Sequence, residues 1–288
     1  MISIVICARN TDIPSELQSN IQNTIGVNYE LIVIDNRKNS YSIFSAYNKG
    51  VVLSKYDIIC FMYDDIIFET NGWGNIVAEK FKNKNLGAVG VAGAPYLATM
   101  PGAWWSGGII CQHLSGQNEY VYAPIKDNAL PVVVVDGLWF CIRKELFTSI
   151  SFDEKTYTGF HFYDVDISLQ IKQLGYEILS LYNVSMQHSA GKLDPVWLQN
   201  ALLFQQKWEK QLPFCVASLS YAQKVKIEYL VLAEYMKAMR ANGVSPLKTI
   251  QFAVNQILKH RLKRFNIVFP FVFIGIVLRH LFKKIGLR

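Results

Sequence analysis

Short apolar runs of strand length alternate with helical patterns through the first half of the chain. The apolar runs cover residues 2–8, 30–35, 57–63 and 87–93, and helical patterns lie between them near 15–25, 41–54 and 73–84. Strands that are apolar on both faces and alternate with helices are typical of a mostly parallel sheet covered on two sides. The pattern therefore predicts an α/β fold with a mostly parallel sheet and helices on both faces.

The second half of the chain has less regular spacing. Strand-like runs cover residues 107–113, 120–123, 131–142 and 176–188, and helices are expected over 163–174, 195–211 and 217–242. Gly175 fits the glycine that commonly follows the C-terminus of a helix. We expect one domain over residues 1–212 and a helical region over 213–288.

The last part of the chain combines apolar and basic residues. A helix is predicted over 246–264, with Leu247, Ile250, Val254, Ile257 and Leu258 on one face and Lys259, Arg261, Lys263 and Arg264 near its end. The apolar run at 265–278 is interrupted by Pro270 and is shorter than the roughly 20 residues that a spanning helix needs. The pattern favours an amphipathic tail over 245–288 that lies in the membrane interface.

Charge divides unevenly along the chain. Residues 1–234 carry 18 Lys and Arg against 22 Asp and Glu, whereas residues 235–288 carry 11 Lys and Arg and no acidic residue. Because these cations are interleaved with large apolar side chains, the partner expected for the tail is anionic lipid and not nucleic acid. Packing of the same helices on the first domain or on a partner subunit is the alternative.

Cysteine usage and the N-terminal residues bear on the compartment. The five cysteines are an odd number without a Cys-x-x-Cys pair, and Cys7, Cys60, Cys111 and Cys141 lie in apolar runs. They are typical of buried thiols in a reducing compartment. The first residues lack the basic and long apolar regions of a signal peptide. We expect a cytoplasmic protein that associates peripherally with the inner face of the cell membrane.

Two common nucleotide-binding signatures are absent from the sequence. The turn after the first strand is Ala-Arg-Asn-Thr-Asp and not Gly-x-Gly-x-x-Gly, and no Gly-x-x-x-x-Gly-Lys-Ser/Thr motif occurs. A nucleotide bound by this sheet would have to be held by carboxylates and a metal at the strand ends.

Carboxylates do follow several predicted strands. Asp35, Asp64, Asp65 and Asp136 stand at such ends, where ligands bind in open α/β sheets. Aspartate is also a common turn or cap residue, which is the alternative for Asp35 and Asp136. The adjacent pair Asp64-Asp65 would repel unless a cation or hydrogen bonds offset the charge, and a divalent ion on a diphosphate would do so.

The order of these motifs resembles the family-2 glycosyltransferases of the GT-A fold, in particular the StrF-type branch of bacterial polysaccharide enzymes. The motifs are Ser-Ile-Val-Ile-Cys-Ala-Arg-Asn from Ser3, Glu-Leu-Ile-Val-Ile-Asp from Glu30, Asn48-Lys-Gly, Tyr63-Asp-Asp, Asp136-Gly, Tyr163-Asp-Val-Asp and Gln187-His. The resemblance covers residues 1–192. Two motifs depart from the family: Asp64-Asp65 replaces Asp-x-Asp, and Tyr163-Asp164 replaces Glu-Asp.

The resemblance implies a role for each matched residue. Residues 1–212 would form the catalytic domain. Ala8, Arg9, Asp35, Asn48 and Asp64 would bind the donor, a nucleotide-diphospho-sugar and most simply a UDP-sugar. Asp65 and His188 would bind a divalent metal, with Mn²⁺ favoured over Mg²⁺. Asp164 would be the general base of an inverting transfer, taking the proton of the acceptor hydroxyl.

Asp164 and Asp166 are both candidates for the catalytic carboxylate. Residues two apart do not share a face of a helix, so only one of them can face the cleft. We favour Asp164 as the base and expect Asp166 to anchor the helix. His188 alone could equally be a structural histidine, and its place in the late motif supports metal binding.

Aromatic residues supply candidate sugar-binding surfaces. Trp104 and Trp105 lie in a glycine-rich segment in which two indoles are difficult to bury, and Gly137 and Trp139 follow the Asp136 motif. We assign these four residues to the acceptor or sugar, with core packing as the alternative for the aromatic ones.

The sequence thus predicts a metal-dependent inverting glycosyltransferase that moves a hexose-type sugar to a saccharide or lipid-linked acceptor in bacterial surface polysaccharide biosynthesis. A different class of function is a catalytically silent protein of the same fold that acts as a membrane-associated scaffold. A sugar-1-phosphate nucleotidyltransferase is disfavoured, since the glycine-rich, arginine-containing signature after the first strand is absent.

Overall fold

The computed structural model describes residues 1–188 and 194–260. Its strands are β1 (Ile2–Ala8), β2 (Tyr29–Asp35), β3 (Ile58–Met62), β4 (Ile67–Phe68), β5 (Leu86–Gly90), β6 (Ala92–Ala94), β7 (Tyr96–Leu97), β8 (Cys111–Gln112), β9 (Ala129–Pro131), β10 (Val134–Val135), β11 (Trp139–Arg143), β12 (Glu177–Leu181), β13 (Met186–Gln187) and β14 (Phe214–Cys215). Its helices are α1 (Ser15–Thr24), α2 (Ile43–Leu53), α3 (Trp73–Lys80), α4 (Tyr163–Gln173), α5 (Pro195–Lys207), α6 (Tyr221–Ala241) and α7 (Pro246–Lys259), with 3₁₀ turns at Trp104–Gly107 and Lys144–Thr148.

A seven-stranded sheet forms the centre of the molecule, in the order β2-β1-β3-β11-β5-β12-β9. Strands β1, β2, β3, β5 and β12 run in the same direction, and β11 and β9 run opposite to them. Every residue of β3 is buried, and so are all but one of β1, so both faces of these strands are covered. The prediction of a large, mostly parallel α/β sheet is confirmed.

The apolar run at 131–142 does not form one strand. It divides among β9, β10 and β11, and β10 belongs to a separate three-stranded sheet with β6 and β8. The backbone turns at Asp136-Gly137-Leu138 between β10 and β11, which the continuous hydrophobicity of the run concealed. The run at 120–123 forms only an isolated bridge, between Tyr120 and Gln112.

Two aromatic clusters lie on opposite sides of the sheet. Phe61 packs between Tyr47, Phe140 and Phe152, with ring centroids 4.8, 5.3 and 5.0 Å away. Trp139, next to Phe140 on β11, points to the other side and meets Trp73 at 5.8 Å. Since neighbouring residues of a strand face opposite ways, one strand supplies both clusters.

The helices after residue 212 pack against the sheet-bearing part of the chain. Strand β14 pairs with β7, and α6 lies along the turn at Trp104–Gly107. Glu228 of α6 is 4% exposed and accepts hydrogen bonds from the Tyr96 hydroxyl and the backbone N–H groups of Thr99 and Met100. These contacts join α6 to the loop after β7, and the domain boundary at 212 stays a prediction.

Helix α7 begins after the cap residue Ser245 and packs on the protein through one face. Ala253 is fully buried, and the Phe252 ring lies 5.3 Å from that of Tyr235. The opposite face carries Leu247, Val254 and Leu258, which are 75%, 46% and 70% exposed. Among the described residues no helix is long and apolar enough to cross a bilayer. The predicted helix end beyond 260 and the run at 265–278 lie outside the described residues.

All five cysteines are free thiols. Cys60 and Cys141 are register partners on β3 and β11, and both are fully buried. Their role as buried apolar residues agrees with the sequence prediction.

Candidate active site

Acidic residues converge at one edge of the central sheet. Asp35 ends β2, and Asp64 and Asp65 follow β3, which is parallel to β2 through β1. Asp136 precedes β11, and because β11 is antiparallel to β3, its beginning lies at the same edge. Trp139 at the start of β11 is the register partner of Met62 at the end of β3. The topology thus assembles residues from distant parts of the sequence.

Asp65 and His188 meet beside this edge. The short strands β4 and β13 pair antiparallel, with Gln187 opposite Ile67, and this pairing brings His188 to the turn after β3. His188 Nε2 lies 3.7 Å from Asp65 Oδ1, and the His188 ring lies 5.5 Å from the ring of Tyr63. The His188 side chain is 12% exposed and that of Asp65 is 56% exposed, so the carboxylate is open to a ligand.

This pair fits a divalent metal that is also bound by a substrate. Metals bind nitrogen and oxygen donors at about 2.0–2.2 Å, so two donors of one ion lie no more than about 4.4 Å apart. The separation of 3.7 Å satisfies that limit. Within residues 1–188 and 194–260, no group of three or more His, Cys, Asp or Glu could hold a metal. Phosphate oxygens and water would therefore complete the coordination, as they do at many Mg²⁺ sites.

Asp136 and Asp164 form a second pair of ionisable side chains, and both of its members are acidic. The backbone N–H of Gly137 donates to Asp164 Oδ2 at 2.9 Å, and the N–H of Leu138 donates to Asp136 Oδ1 at 2.8 Å. Asp164 Oδ1 accepts from the N–H of Val165 in the first turn of α4. Both carboxylates are partly buried, and each is held by backbone donors at the turn that leads into β11.

Burial and like charge shift the protonation of this pair. Burial and the nearby Asp136 charge raise the pKa of Asp164 to about 7, although the hydrogen bonds from Val165 and Gly137 lower it. Burial also raises the pKa of Asp136, against the lowering effects of the Leu138 N–H, His188 and the Trp104 side chain. A carboxylate that titrates near neutral pH is suited to general base catalysis.

Tyr163 holds the turn and the helix together. Its hydroxyl lies 2.9 Å from the Tyr63 hydroxyl and 3.0 Å from the carbonyl oxygen of Gly137. A Cβ atom at Gly137 would lie 2.0 Å from the Tyr163 hydroxyl oxygen, which no side chain could tolerate without displacement. Gly137 therefore serves the site through its missing side chain.

The residue before α4 has an unusual backbone. Phe162 has a φ of 75°, a left-handed conformation that is rare for a bulky residue. Its ring is buried and lies 6.0 Å from that of Trp197 and 5.5 Å from that of Phe204, both on α5. Packing against α5 thus compensates a conformation that sets the start of α4 and the position of Asp164.

Asp166 faces away from the acidic pair. It is 1% exposed and accepts hydrogen bonds from Tyr157, Gln170 and Trp208. Lys207 Nζ of α5 lies 2.8 Å from Asp166 Oδ1. These contacts place Asp166 between α4 and α5, the anchoring position expected for it, and not in the cleft.

Asp35 lies on the surface near the end of β1. The Arg37 guanidinium forms a two-pronged contact with it, with Nε 3.0 Å from Oδ1 and Nη2 2.8 Å from Oδ2, and holds the pKa of Asp35 at about 2. Ala8 is the register partner of Asp35, and the neighbouring Arg9 side chain is exposed. Burial raises the pKa of the Cys7 thiol and the Asp64 charge raises it further, which places Asp64 beside the same strand end.

Asn48 is engaged elsewhere. Its side-chain amide donates to the carbonyl oxygen of Phe152 at 2.8 Å, and its oxygen accepts from the Phe152 N–H at 3.0 Å. Both polar groups of Asn48 thereby fix the loop at Phe152 to α2. The structure does not bring this predicted donor ligand to the acidic pairs.

The three candidate tryptophans occupy different environments. Trp139 is fully buried in the aromatic cluster with Trp73, so its ring is not available to a sugar. Trp104 is 7% exposed and interacts with Asp136. Trp105 is 42% exposed and stands perpendicular to Trp104, with ring centroids 5.3 Å apart.

Asp136 was predicted to stand at a strand end but received no role in the site, and Arg37 was not predicted to take part. Asp136 was recognised as a carboxylate beside a strand, and its pairing with Asp164 depends on a turn hidden inside an apolar run. The signal that could have found it is the Asp-Gly dipeptide, which marks a turn. Arg37 lies two residues after Asp35, a spacing at which a surface guanidinium can reach a carboxylate.

Comparison with known proteins identifies similar sequences and folds. The family described as "Glycosyltransferase like family" matches residues 3–192. The crystal structure of GalNAc-T7 with UDP, GalNAc and Mn²⁺ superposes with a TM-score of 0.53 at 13% identity, covering 90% of this chain and 54% of that one. The structure of residues 1–349 of S. aureus TarS gives a TM-score of 0.49 at 14% identity, covering 87% and 77%. No curated protein matches the chain.

Proposed function

Because the chain belongs to the glycosyltransferase-like family, and is accordingly a glycosyltransferase, we propose that it transfers a hexose-type sugar from a nucleotide-diphospho-sugar to a hydroxyl of a saccharide or lipid-linked acceptor. The observation that carries the proposal is the presence of two distinct pairs of ionisable side chains at one edge of the sheet. Asp65 with His188 is open to a metal and a diphosphate, and Asp136 with Asp164 is suited to proton transfer.

The transfer inverts the anomeric centre in a single displacement. Asp164 accepts the proton of the acceptor hydroxyl while that oxygen forms a bond to the anomeric carbon. The bond between this carbon and the diphosphate oxygen breaks on the opposite face, and its electron pair leaves with the nucleoside diphosphate. The Gly137 and Val165 N–H groups orient the Asp164 carboxylate toward this task.

Asp65 and His188 would hold a divalent metal at the diphosphate, with Asp64 beside it. Such a metal stabilises the negative charge that develops on the leaving group. We favour Mn²⁺ over Mg²⁺, because one of the two protein ligands is an imidazole. UDP as the nucleotide is supported by the UDP and Mn²⁺ named for the GalNAc-T7 structure. Asp35, Arg9 and Ala8 would contact the nucleoside at the ends of β1 and β2.

The biological setting is a further part of the proposal. The motif order supports a place in the StrF-type branch and in the synthesis of bacterial surface polysaccharide. We also propose that the enzyme works at the inner face of the cell membrane, held peripherally by residues 245–288.

The two faces of α7 support the membrane proposal. One face packs on α6 through Phe252 and Ala253, and the other presents Leu247, Val254 and Leu258 to the outside. The sequence after Glu234 contains only cations among its charged residues. An apolar outer face on a basic segment is typical of helices that lie in an anionic membrane interface.

The test of the proposed function is a donor screen on the full chain. UDP-glucose, UDP-galactose, UDP-N-acetylglucosamine and UDP-N-acetylgalactosamine would be titrated by calorimetry with Mn²⁺, with Mg²⁺ and with EDTA, and UDP release would be measured in parallel. We expect at least one donor to bind with metal and to release UDP. Asp65→Ala should abolish release, and the exposed carboxylate variant Glu16→Ala should not.

Two results would contradict the proposal. Donor binding that is tight in EDTA would exclude the metal role of Asp65 and His188. Metal-dependent binding without UDP release, whatever saccharides are added, would favour the scaffold alternative.

A further inference from the structure

Phe160 is an exposed aromatic residue close to the two pairs of ionisable side chains. Its side chain is 39% exposed, and its ring lies 5.3 Å from that of Tyr63 and 5.9 Å from that of Tyr163. Tyr63 and Tyr163 are the residues that join the turn after β3 to the turn at Gly137. An exposed phenyl ring at this position presents an apolar surface where the reacting groups meet.

The backbone around Phe160 is fixed and not free. Asn200 of α5 is fully buried and donates to the carbonyl oxygens of Thr158 at 2.8 Å and His161 at 3.0 Å, one on each side of Phe160. The carbonyl oxygen of Gly159 accepts from the N–H of Ile43 at the start of α2. Hydrogen bonds thus hold this segment to α5 and α2, while the Phe160 ring stays exposed. A ring whose backbone is already ordered loses less entropy when it contacts a ligand.

The position of the Phe160 ring relative to Asp65 and Asp164 indicates whether it contacts the donor or the acceptor sugar. The Tyr63 ring contacts both the Phe160 ring and the His188 ring, and His188 lies beside Asp65. Phe160 also contacts the ring of Tyr163, which directly precedes Asp164. The diphosphate end of the donor belongs with Asp65, whereas the acceptor hydroxyl belongs with Asp164, so Phe160 lies on the acceptor side.

We propose that Phe160 binds the acceptor, with its ring stacked on the C–H face of the pyranose whose hydroxyl Asp164 deprotonates. This inference rests on the proposed function and names the acceptor class as a pyranoside with one face free of axial hydroxyls. The face of an aromatic ring is negative and the C–H face of a pyranose is weakly positive, so the contact combines burial of apolar area with electrostatic attraction. The exposed ring of Trp105 packs on Trp104, which interacts with Asp136.

The test measures pyranoside binding by saturation-transfer NMR. The full-length protein with UDP and Mg²⁺ would be mixed with the methyl pyranosides of glucose, galactose, mannose and N-acetylglucosamine, used as probes. We expect saturation of the axial H3 and H5 protons in at least one glycoside. Phe160→Ala should weaken that binding by about fivefold, the effect of losing an aromatic contact of about 1 kcal/mol.

Matched variants separate stacking from other effects. Phe160→Trp should retain binding, and Phe160→Leu should lose it although it keeps apolar area. Tyr221→Ala, which removes an exposed aromatic ring on α6, should bind as the wild type does. Thermal unfolding should show that all four variants are folded, so that a loss of glycoside binding is not a loss of structure.

The outcomes distinguish this inference from the proposed function. Glycoside binding that is equal in the wild type, Phe160→Ala and Phe160→Leu would overturn the inference, and so would a wild type that binds none of the probes while UDP binds normally. A wild type that does not bind UDP with metal would contradict the donor function itself.

Discussion

The carboxylate of Asp164 accepts a hydrogen bond from the N–H of Gly137, the residue that directly follows Asp136. The Asp164 side chain, on α4, is therefore held at the turn that contains Asp136, although the two residues are far apart in the sequence. Burial is the larger cause and the charge of Asp136 adds to it, so the pKa of Asp164 rises to about 7.

The pH dependence of transfer should report this pair. Because a base acts only when it is deprotonated, kcat/KM should rise with pH and level off above about pH 7. Asp136→Asn removes the neighbouring charge and should move the inflection to lower pH. The measurement is kcat/KM between pH 5 and 9 for both proteins. An inflection that is the same in both would show that Asp136 does not influence the base.

The contribution of Asp164 to stability should fall as the pH rises, whereas kcat/KM should increase. A carboxylate whose pKa is raised by folding stabilises the protein at pH values below its unfolded pKa, and this contribution is lost as the pH rises through about 7. The asparagine of the Asp164→Asn variant cannot ionise, so the stability of the variant does not fall for this reason. The Tm of the variant minus the Tm of the wild type should therefore be larger at pH 8 than at pH 4. A Tm difference that does not change with pH would contradict the raised pKa.

Asp164→Asn should also separate chemistry from donor binding. We expect kcat to fall by roughly 10²–10⁴, the usual range for a general base. UDP affinity measured by calorimetry should stay within about twofold of wild type, because in the described part of the chain the Asp164 carboxylate is held by Gly137 and Val165 and not by the strand ends that would hold the nucleoside. A variant with wild-type kcat would remove Asp164 from the mechanism.

Asp166→Asn should damage the fold instead. The side chain accepts from three neutral donors and pairs with Lys207, and hydrogen bonds to a charged group contribute about 1.5–3 kcal/mol each. Urea unfolding should show a loss on the order of 2 kcal/mol, with kcat per folded molecule retained. Asp153→Asn is the matched control, because it removes the more exposed partner of the same lysine and should cost less. Loss of kcat without loss of stability would make Asp166 the catalytic carboxylate.

Removal of Leu247, Val254 and Leu258 should reduce membrane binding without changing charge. The triple variant with Gln at these positions alters only the outer face of α7, and burying one such side chain contributes about 1.5–3 kcal/mol. Sedimentation with vesicles of phosphatidylglycerol and phosphatidylcholine at low salt should show weaker binding. Gln251→Ala with Asn255→Ala on the same exposed side should have little effect.

Two results would contradict the interfacial proposal. One is wild-type protein that stays off these vesicles at low salt. The other is wild-type protein that resists extraction by high salt and carbonate, as an integral membrane protein does.

The sequence predicted the sheet and most of the carboxylates at its edge, because strand hydrophobicity and the Asp residues after strands are local signals. It did not predict the partners of Asn48, whose amide is used by the backbone of Phe152, a contact between residues that are 104 positions apart. Nor could it decide the direction of Trp139. Alternate residues of a strand face opposite sides, so the turn at 136–138 decides whether Trp139 or Phe140 faces a given cluster.

Because Tyr163 lies so close to Gly137, the size of the side chain at residue 137 should affect the position of Asp164. An added methyl group would meet the Tyr163 hydroxyl oxygen at 2.0 Å, and Tyr163 is covalently next to Asp164. Each increment of volume at residue 137 should therefore displace the carboxylate of Asp164, the proposed base, and a shift of about 1 Å at a catalytic group can cost about 10²-fold in rate. A graded series of substitutions at this one residue would calibrate how far the base can move before transfer stops.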